Sequence, residues 1–146
     1  MQTTKTDARI FDDEEGFTLV ELLVVLGIIA LLAAMVAPQV IRYMGDARSE
    51  TAGVQLKNIE SALELYSLDN GGYPSTEQGL AALVTAPANV KTWQGPYIKR
   101  LEGLKDPWGI PYIFKSPGEH GAYDLSTLGR DKIVGGDGEG KDIMNW

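Results

Sequence analysis

The chain of 146 residues contains no cysteine and a single histidine, His120. Without cysteine there is no disulfide, no thiolate nucleophile and no cysteine-ligated zinc site. One histidine likewise rules out a metal cluster built on imidazoles. Basic residues are also in short supply: 13 Lys and Arg stand against 20 Asp and Glu, for a formal net charge of -7, and they form no cluster. Phosphate binding depends on neutralisation by Lys and Arg, so no nucleic acid partner is expected. Also missing are a phosphate-binding loop, a nucleophile elbow and a carboxylate pair in a water-excluding setting, so the reading is that this is not an enzyme. His120, in the turn Pro117-Gly118-Glu119-His120-Gly121, reads as a surface residue. Trp93, Trp108 and Trp146, with Tyr73, Tyr97 and Tyr112, form a set that could serve as a sugar platform but reads better as core and turn packing.

What the chain does contain is unevenly distributed. The 44% hydrophobic content is concentrated in residues 17–37, FTLVELLVVLGIIALLAAMVA, where only Thr18 and Glu21 are polar. A helix rising about 1.5 Å per residue needs roughly 20 apolar residues to cross about 30 Å of hydrocarbon, and this run meets that length. A cleavable secretory signal has a shorter apolar core and an A-x-A-like site after it, which does not match. Glu21 is the anomaly, because a carboxylate in hydrocarbon costs several kcal/mol by some scales and is rarely left alone. Two readings are open: it reaches the interface and favours the helix N-terminus, or it pairs with a cation that appears only after processing or assembly.

Gly16-Phe17-Thr18-Leu19-Val20-Glu21 followed by this apolar run resembles the class III signal of type IV pilins and type II secretion pseudopilins. The resemblance implies that a membrane prepilin peptidase cuts between Gly16 and Phe17 and methylates the new Phe17 amine. It implies also that Glu21, fifth from Phe17, aligns subunits in a fibre, with the Phe17 ammonium of a neighbouring subunit as its missing cation. One departure stands out: family leaders are usually basic beside the cleavage glycine, whereas Asp12-Asp13-Glu14-Glu15 precede Gly16 here, with Lys5 and Arg9 further out. The expected organisation is a leader over residues 1–16, a transmembrane and polymerisation helix over 17–41, its amphipathic continuation over 42–70, and a periplasmic loop-and-sheet head over 71–146.

Pro38 removes a hydrogen bond from any helix that contains it, yet helical periodicity resumes beyond it. Ala52, Leu56, Ile59, Leu63 and Tyr66 form one apolar stripe, with Lys57, Glu60 and Glu64 facing away. Asp69-Asn70-Gly71-Gly72 supplies the stop. Ser75 with Gln78 three residues on reads as a capped helix start, and strands are expected over residues 97–101, 110–115 and 122–128. The fold class is α+β and pilin-like, one long helix packed on a small antiparallel sheet.

Further motifs sharpen the resemblance. Tyr73-Pro74-Ser75-Thr76-Glu77-Gln78-Gly79-Leu80, Asp106-Pro107-Trp108-Gly109-Ile110-Pro111-Tyr112, Tyr123-Asp124-Leu125 and Asp142-Ile143-Met144-Asn145-Trp146 are similar to the major pseudopilins of type II secretion systems. Type IV pilins usually close the C-terminal region with a disulfide, which this chain cannot make. The glycine-rich stretch from Leu128 to Asp142 concentrates carboxylates instead. Taken by itself it reads either as a solvated acidic tail or as an oxygen-donor loop for calcium. It is no EF-hand, since Ile133 and Gly135 fall where that motif needs oxygen side chains.

The resemblance implies one calcium ion, held by Asp131 and the carbonyls of Leu128 and Ile133, with Asp137 and Asp142 completing the set and Glu139 in reserve. Lys132 stands where the family more often has glycine. The resemblance further implies a subunit of the bacterial inner membrane with a periplasmic head. It would polymerise with itself and with minor pseudopilins, drawn from the lipid by an inner-membrane assembly platform and its ATPase, into a fibre that drives folded proteins across the outer membrane. The alternatives are a type IV or competence pilin, for adhesion or DNA uptake, and a membrane-anchored periplasmic enzyme.

Overall fold

The computed structural model describes residues 16–146. The acidic leader residues Asp12 to Glu15, with Lys5 and Arg9, lie outside the described residues. Contacts divide the chain into Met1–Pro38 and Gln39–Trp146. The first element, α1, is a helix of 52 residues, Leu19–Asn70, with Pro38 inside it as expected. Proline is tolerated there at the loss of one bond, since the Ala34 carbonyl has no amide at position 38 to accept from.

In the first unit the helix is apolar on every face. None of its most apolar 18-residue window is buried, and Leu19 through Met35 present their large side chains outward. A continuous apolar surface of this size does not belong in water.

In the second unit the same helix is amphipathic. Ala52, Leu56, Ile59, Ala62, Leu63 and Tyr66 are buried, while Lys57 and Glu64 are exposed and Glu60 is half-exposed. The stripe packs on Leu80, Leu83, Leu104, Tyr112 and Leu125 to form the core. Gly71 ends the helix: its φ of 75° puts it in the left-handed region, and its amide donates to the Ser67 carbonyl at 2.9 Å.

The sheet has three short antiparallel strands in the order β1 (Ile113–Lys115), β2 (Asp124–Thr127) and β3 (Ile143–Met144). Ile113 pairs with Ser126 and Lys115 with Asp124, while Thr127 pairs with Ile143. The expected strand over 110–115 shortens to Ile113–Lys115, because Pro111 has no amide to extend the ladder and makes only an isolated bridge with Lys105. The one over 122–128 shortens to β2.

No strand forms over 97–101. The amides of Tyr97 and Ile98 both donate to the Leu83 carbonyl, at 2.8 and 3.1 Å, which takes them out of any ladder. The chain then turns through a short 3₁₀ helix at Leu101–Leu104. Ser75 and Gln78 do exchange capping bonds, from the Ser75 amide to Gln78 Oε1 at 2.9 Å and from the Gln78 amide to Ser75 Oγ at 3.2 Å. What they cap is a turn and then a 3₁₀ helix, Leu80–Leu83, because Gly79 adopts φ 60° and interrupts the helical path.

Two of the sequence motifs find their physical purpose here. Asp106 is buried, with Oδ1 accepting from the amides of Trp108 (3.1 Å) and Ile110 (2.8 Å) and Oδ2 from Thr127 Oγ1 (2.6 Å). The Asp-Pro-Trp-Gly turn is thereby tied to β2. Asn145 accepts from the Leu125 amide at 2.8 Å and returns its own amide to the Leu125 carbonyl at 3.1 Å, which aligns β3 beside β2.

Candidate functional site

Two places in the chain carry chemistry: the N-terminal end of α1 and the C-terminal loop. At the first, Gly16 and Phe17 precede the helix, and Phe17 is 79% exposed, open to processing. Glu21 is not left without a partner. The Thr18 amide donates to Glu21 Oε2 at 2.8 Å, Thr18 Oγ1 donates to the same oxygen at 2.9 Å, and the Glu21 amide donates back to Thr18 Oγ1 at 3.3 Å. This is a reciprocal capping box, which satisfies two of the orphan amides at the helix start and holds the carboxylate at the positive end of the helix dipole. Sequence reasoning missed Thr18, although Thr-x-x-Glu before an apolar run is the pattern that announces such a box.

At the second place, Leu128 to Asp142 folds into a tight loop containing a 3₁₀ turn, Gly138–Gly140. Asp131 Oδ1 accepts from the Ile133 amide at 3.1 Å, and Oδ2 lies against Gly140, where a Cβ would come within 2.4 Å of it. Gly135 and Gly136 have φ of 93° and 99°, a path side-chain-bearing residues rarely follow. Lys132 has φ 60°, the only positive value among the described non-glycine residues, so the glycine that the resemblance places there is what the backbone favours. Asp142 Oδ2 accepts from the Gly135 amide at 2.8 Å. Its Oδ1 is buried and is the one such side-chain polar atom without a hydrogen-bond partner among the described residues.

These donors suit calcium, which takes about 6–8 oxygens from carboxylates and backbone carbonyls. A buried carboxylate oxygen with no donor is the kind of group a cation satisfies. Among the described residues, no three Asp, Glu or His side chains sit close enough to hold an ion by themselves. A calcium site here therefore relies on carbonyl oxygens, Leu128 and Ile133 being the candidates. Asp131 and Asp137 also line one cleft with Arg42 and Asp46 of α1. The carboxylate of Glu139 is engaged elsewhere: Oε1 meets Arg48 at 3.1 Å and Oε2 meets Arg130 at 2.7 Å. That pairing holds the Glu139 carboxyl below its ordinary range, the Arg130 hydrogen bond foremost.

The aromatic set is absorbed by packing. Trp93 Nε1 donates to the Ala82 carbonyl at 2.8 Å, Tyr73 meets Tyr123 edge-on at 4.8 Å, and Trp146 stacks on His120 at 4.3 Å. His120 Nδ1 lies 3.1 Å from Asp124 Oδ2 on an exposed turn, as a surface residue should.

Comparison with known proteins identifies the family. Residues 39–146 match the family model described as Type II secretion system (T2SS), protein G, and residues 12–37 match the prokaryotic N-terminal methylation motif. A Type II secretion system core protein G of Vibrio cholerae is 46% identical over 136 residues, covering 91% of this chain and 92% of that protein. Its counterpart in Pseudomonas aeruginosa is 44% identical over 137 residues, covering 91% and 95%. The crystal structure of the major pseudopilin from the type 2 secretion system of enterohaemorrhagic Escherichia coli superposes with a TM-score of 0.53 at 37% identity, covering 68% of this chain and 87% of that one. The chain therefore belongs to the type II secretion system protein G family, the major pseudopilins.

Proposed function

We propose that this chain is the major structural subunit of a type II secretion pseudopilus. In this reading residues 17–41 hold the subunit in the inner membrane with its head in the periplasm. A prepilin peptidase cuts after Gly16 and methylates Phe17, and an assembly platform with its ATPase then adds the subunit to a fibre beside minor pseudopilins. The observation that carries the reading is the change in character of α1: apolar on all faces and unburied before Pro38, amphipathic and half-buried after it. One helix thus offers a lipid-soluble half that can exchange lipid contacts for helix contacts on polymerisation.

Glu21 would then act twice. Before assembly the Thr18 box shields the carboxylate; in the fibre the same carboxylate, at the helix start, meets the Phe17 ammonium of a neighbour and penalises misregistered addition. The role is mechanical rather than catalytic. A calcium ion in the C-terminal loop, held by Asp131, Asp137 and Asp142 with the carbonyls of Leu128 and Ile133, would cross-link a segment that lacks cysteine. Mass spectrometry of the protein purified from secreting cells tests the processing step. It should show an N-terminus at methylated Phe17, whereas a chain still beginning at Met1 would overturn the reading.

A further inference from the structure

Glu139, the reserve carboxylate of the calcium reading, is the most connected residue of the loop. Besides Arg48 and Arg130, it accepts from Trp108 Nε1 at 3.4 Å, and its carbonyl accepts from the Arg130 amide at 2.7 Å. One residue earlier, the Gly138 carbonyl accepts from Ser49 Oγ at 2.9 Å. Arg48 and Ser49 both belong to α1, 91 and 89 positions away from their partners in sequence. Isolated surface ion pairs contribute little, but here two guanidinium groups and an indole converge on a carboxylate that is 21% exposed.

The helix is shaped to receive it. Gly45 is buried, and a Cβ there would lie 2.8 Å from Glu139 Cγ. Gly53, on the same helix, has nothing within 4 Å of the corresponding point. Glycine weakens a helix interior relative to alanine, so Gly45 has a packing reason for being glycine that Gly53 lacks.

We propose that Glu139, seated against Gly45 and bonded to Arg48, is a latch that docks the C-terminal loop on α1 through protein contacts alone. Its role is to position the loop, separately from any metal ligand. The latch rests on no bound ion, so its test is run on the full chain in detergent after washing with chelator.

The test compares Gly45→Ala, Glu139→Ala, the double variant and Gly53→Ala by thermal melting, amide hydrogen exchange and the Trp108 indole N–H resonance. Gly53→Ala should raise the melting temperature by helix propensity alone. Gly45→Ala should lower it, speed exchange of the Arg130 amide roughly tenfold and shift the Trp108 indole signal, because Glu139 must leave its seat. Glu139→Ala should do the same. In the Glu139→Ala background the added Gly45→Ala should reverse sign and stabilise as Gly53→Ala does. The proposal is overturned if Gly45→Ala stabilises the wild-type chain, if its effect is unchanged without Glu139, or if the Arg130 amide of the chelator-washed wild type exchanges freely.

Discussion

Tyr112 and Tyr123 each put a phenol into the interface between α1 and the sheet, with different consequences. The Tyr112 hydroxyl donates to the Ala52 carbonyl at 2.8 Å, bonding the β1 edge to the helix where the apolar stripe begins. Burial pushes the Tyr123 phenol up from 10.0 to about 12, helped by the charges of Glu60 and Glu64 and the neighbouring Tyr73. The unfolded chain loses this proton near pH 10.0 while the folded chain keeps it until about 12, so stability present below the lower value is lost between the two. Melting temperature should therefore fall as pH rises above 10, and Tyr123→Phe should flatten part of that fall. An unchanged slope in the variant would contradict the assignment.

Other residues show what a sequence can and cannot disclose at this scale. Glu21 was legible as an anomaly because a charge in an apolar run is conspicuous, and its local partner Thr18 was there to be read in the spacing. Glu139 was legible only as an acid of the loop and a reserve ligand for calcium. Its partner Arg48 is 91 positions away, and nothing local announces a contact closed by the fold.

Among the elements, α1 was the most legible and the strands the least. A 3.6-residue apolar stripe repeated over several turns states both the helix and its buried face, and Leu63, 0% exposed within that stripe, lies where the spacing put it. Strands of two to four residues carry too few alternations to show a period. They are held instead by side chains outside the ladder: Asn145 accepts from the Leu125 amide of β2, and Asp106 accepts from the Thr127 hydroxyl. That is why β3 offers no period to read, while residues 97–101, strand-like in composition, are kept out of any ladder by the Leu83 carbonyl.

The C-terminal loop yields the prediction that belongs to this scale. Asp142 Oδ1 is buried without a donor, so a cation bound there would relieve that cost. Chelation should lower the melting temperature of the full chain. Asp142→Asn, which removes the charge and supplies a donor, should abolish that response. A wild-type melting curve unchanged by chelator and by added calcium would contradict a calcium site in this loop.

For the whole molecule, the division at Pro38 marks a change in surface character. The described residues of the first unit expose apolar side chains on all sides, and the second unit buries a core built from one helix face, two 3₁₀ helices and a three-stranded sheet. Neither the composition average nor the net charge reveals this division, because a membrane segment and a polar, acidic head cancel in the sum. A subunit of this design is stable in lipid only while its apolar half is surrounded by hydrocarbon, and stable in a fibre only if other copies of that half replace it.

The central claim is that the subunit polymerises with Glu21 matched to the Phe17 amine of its neighbour, and fibre formation in cells carrying the secretion components measures it directly. Electron microscopy of sheared material should show fibres from the wild-type chain and none from Glu21→Ala, with the variant still inserted in the membrane and still cut before Phe17. Fibres of normal length and number from Glu21→Ala would contradict the account.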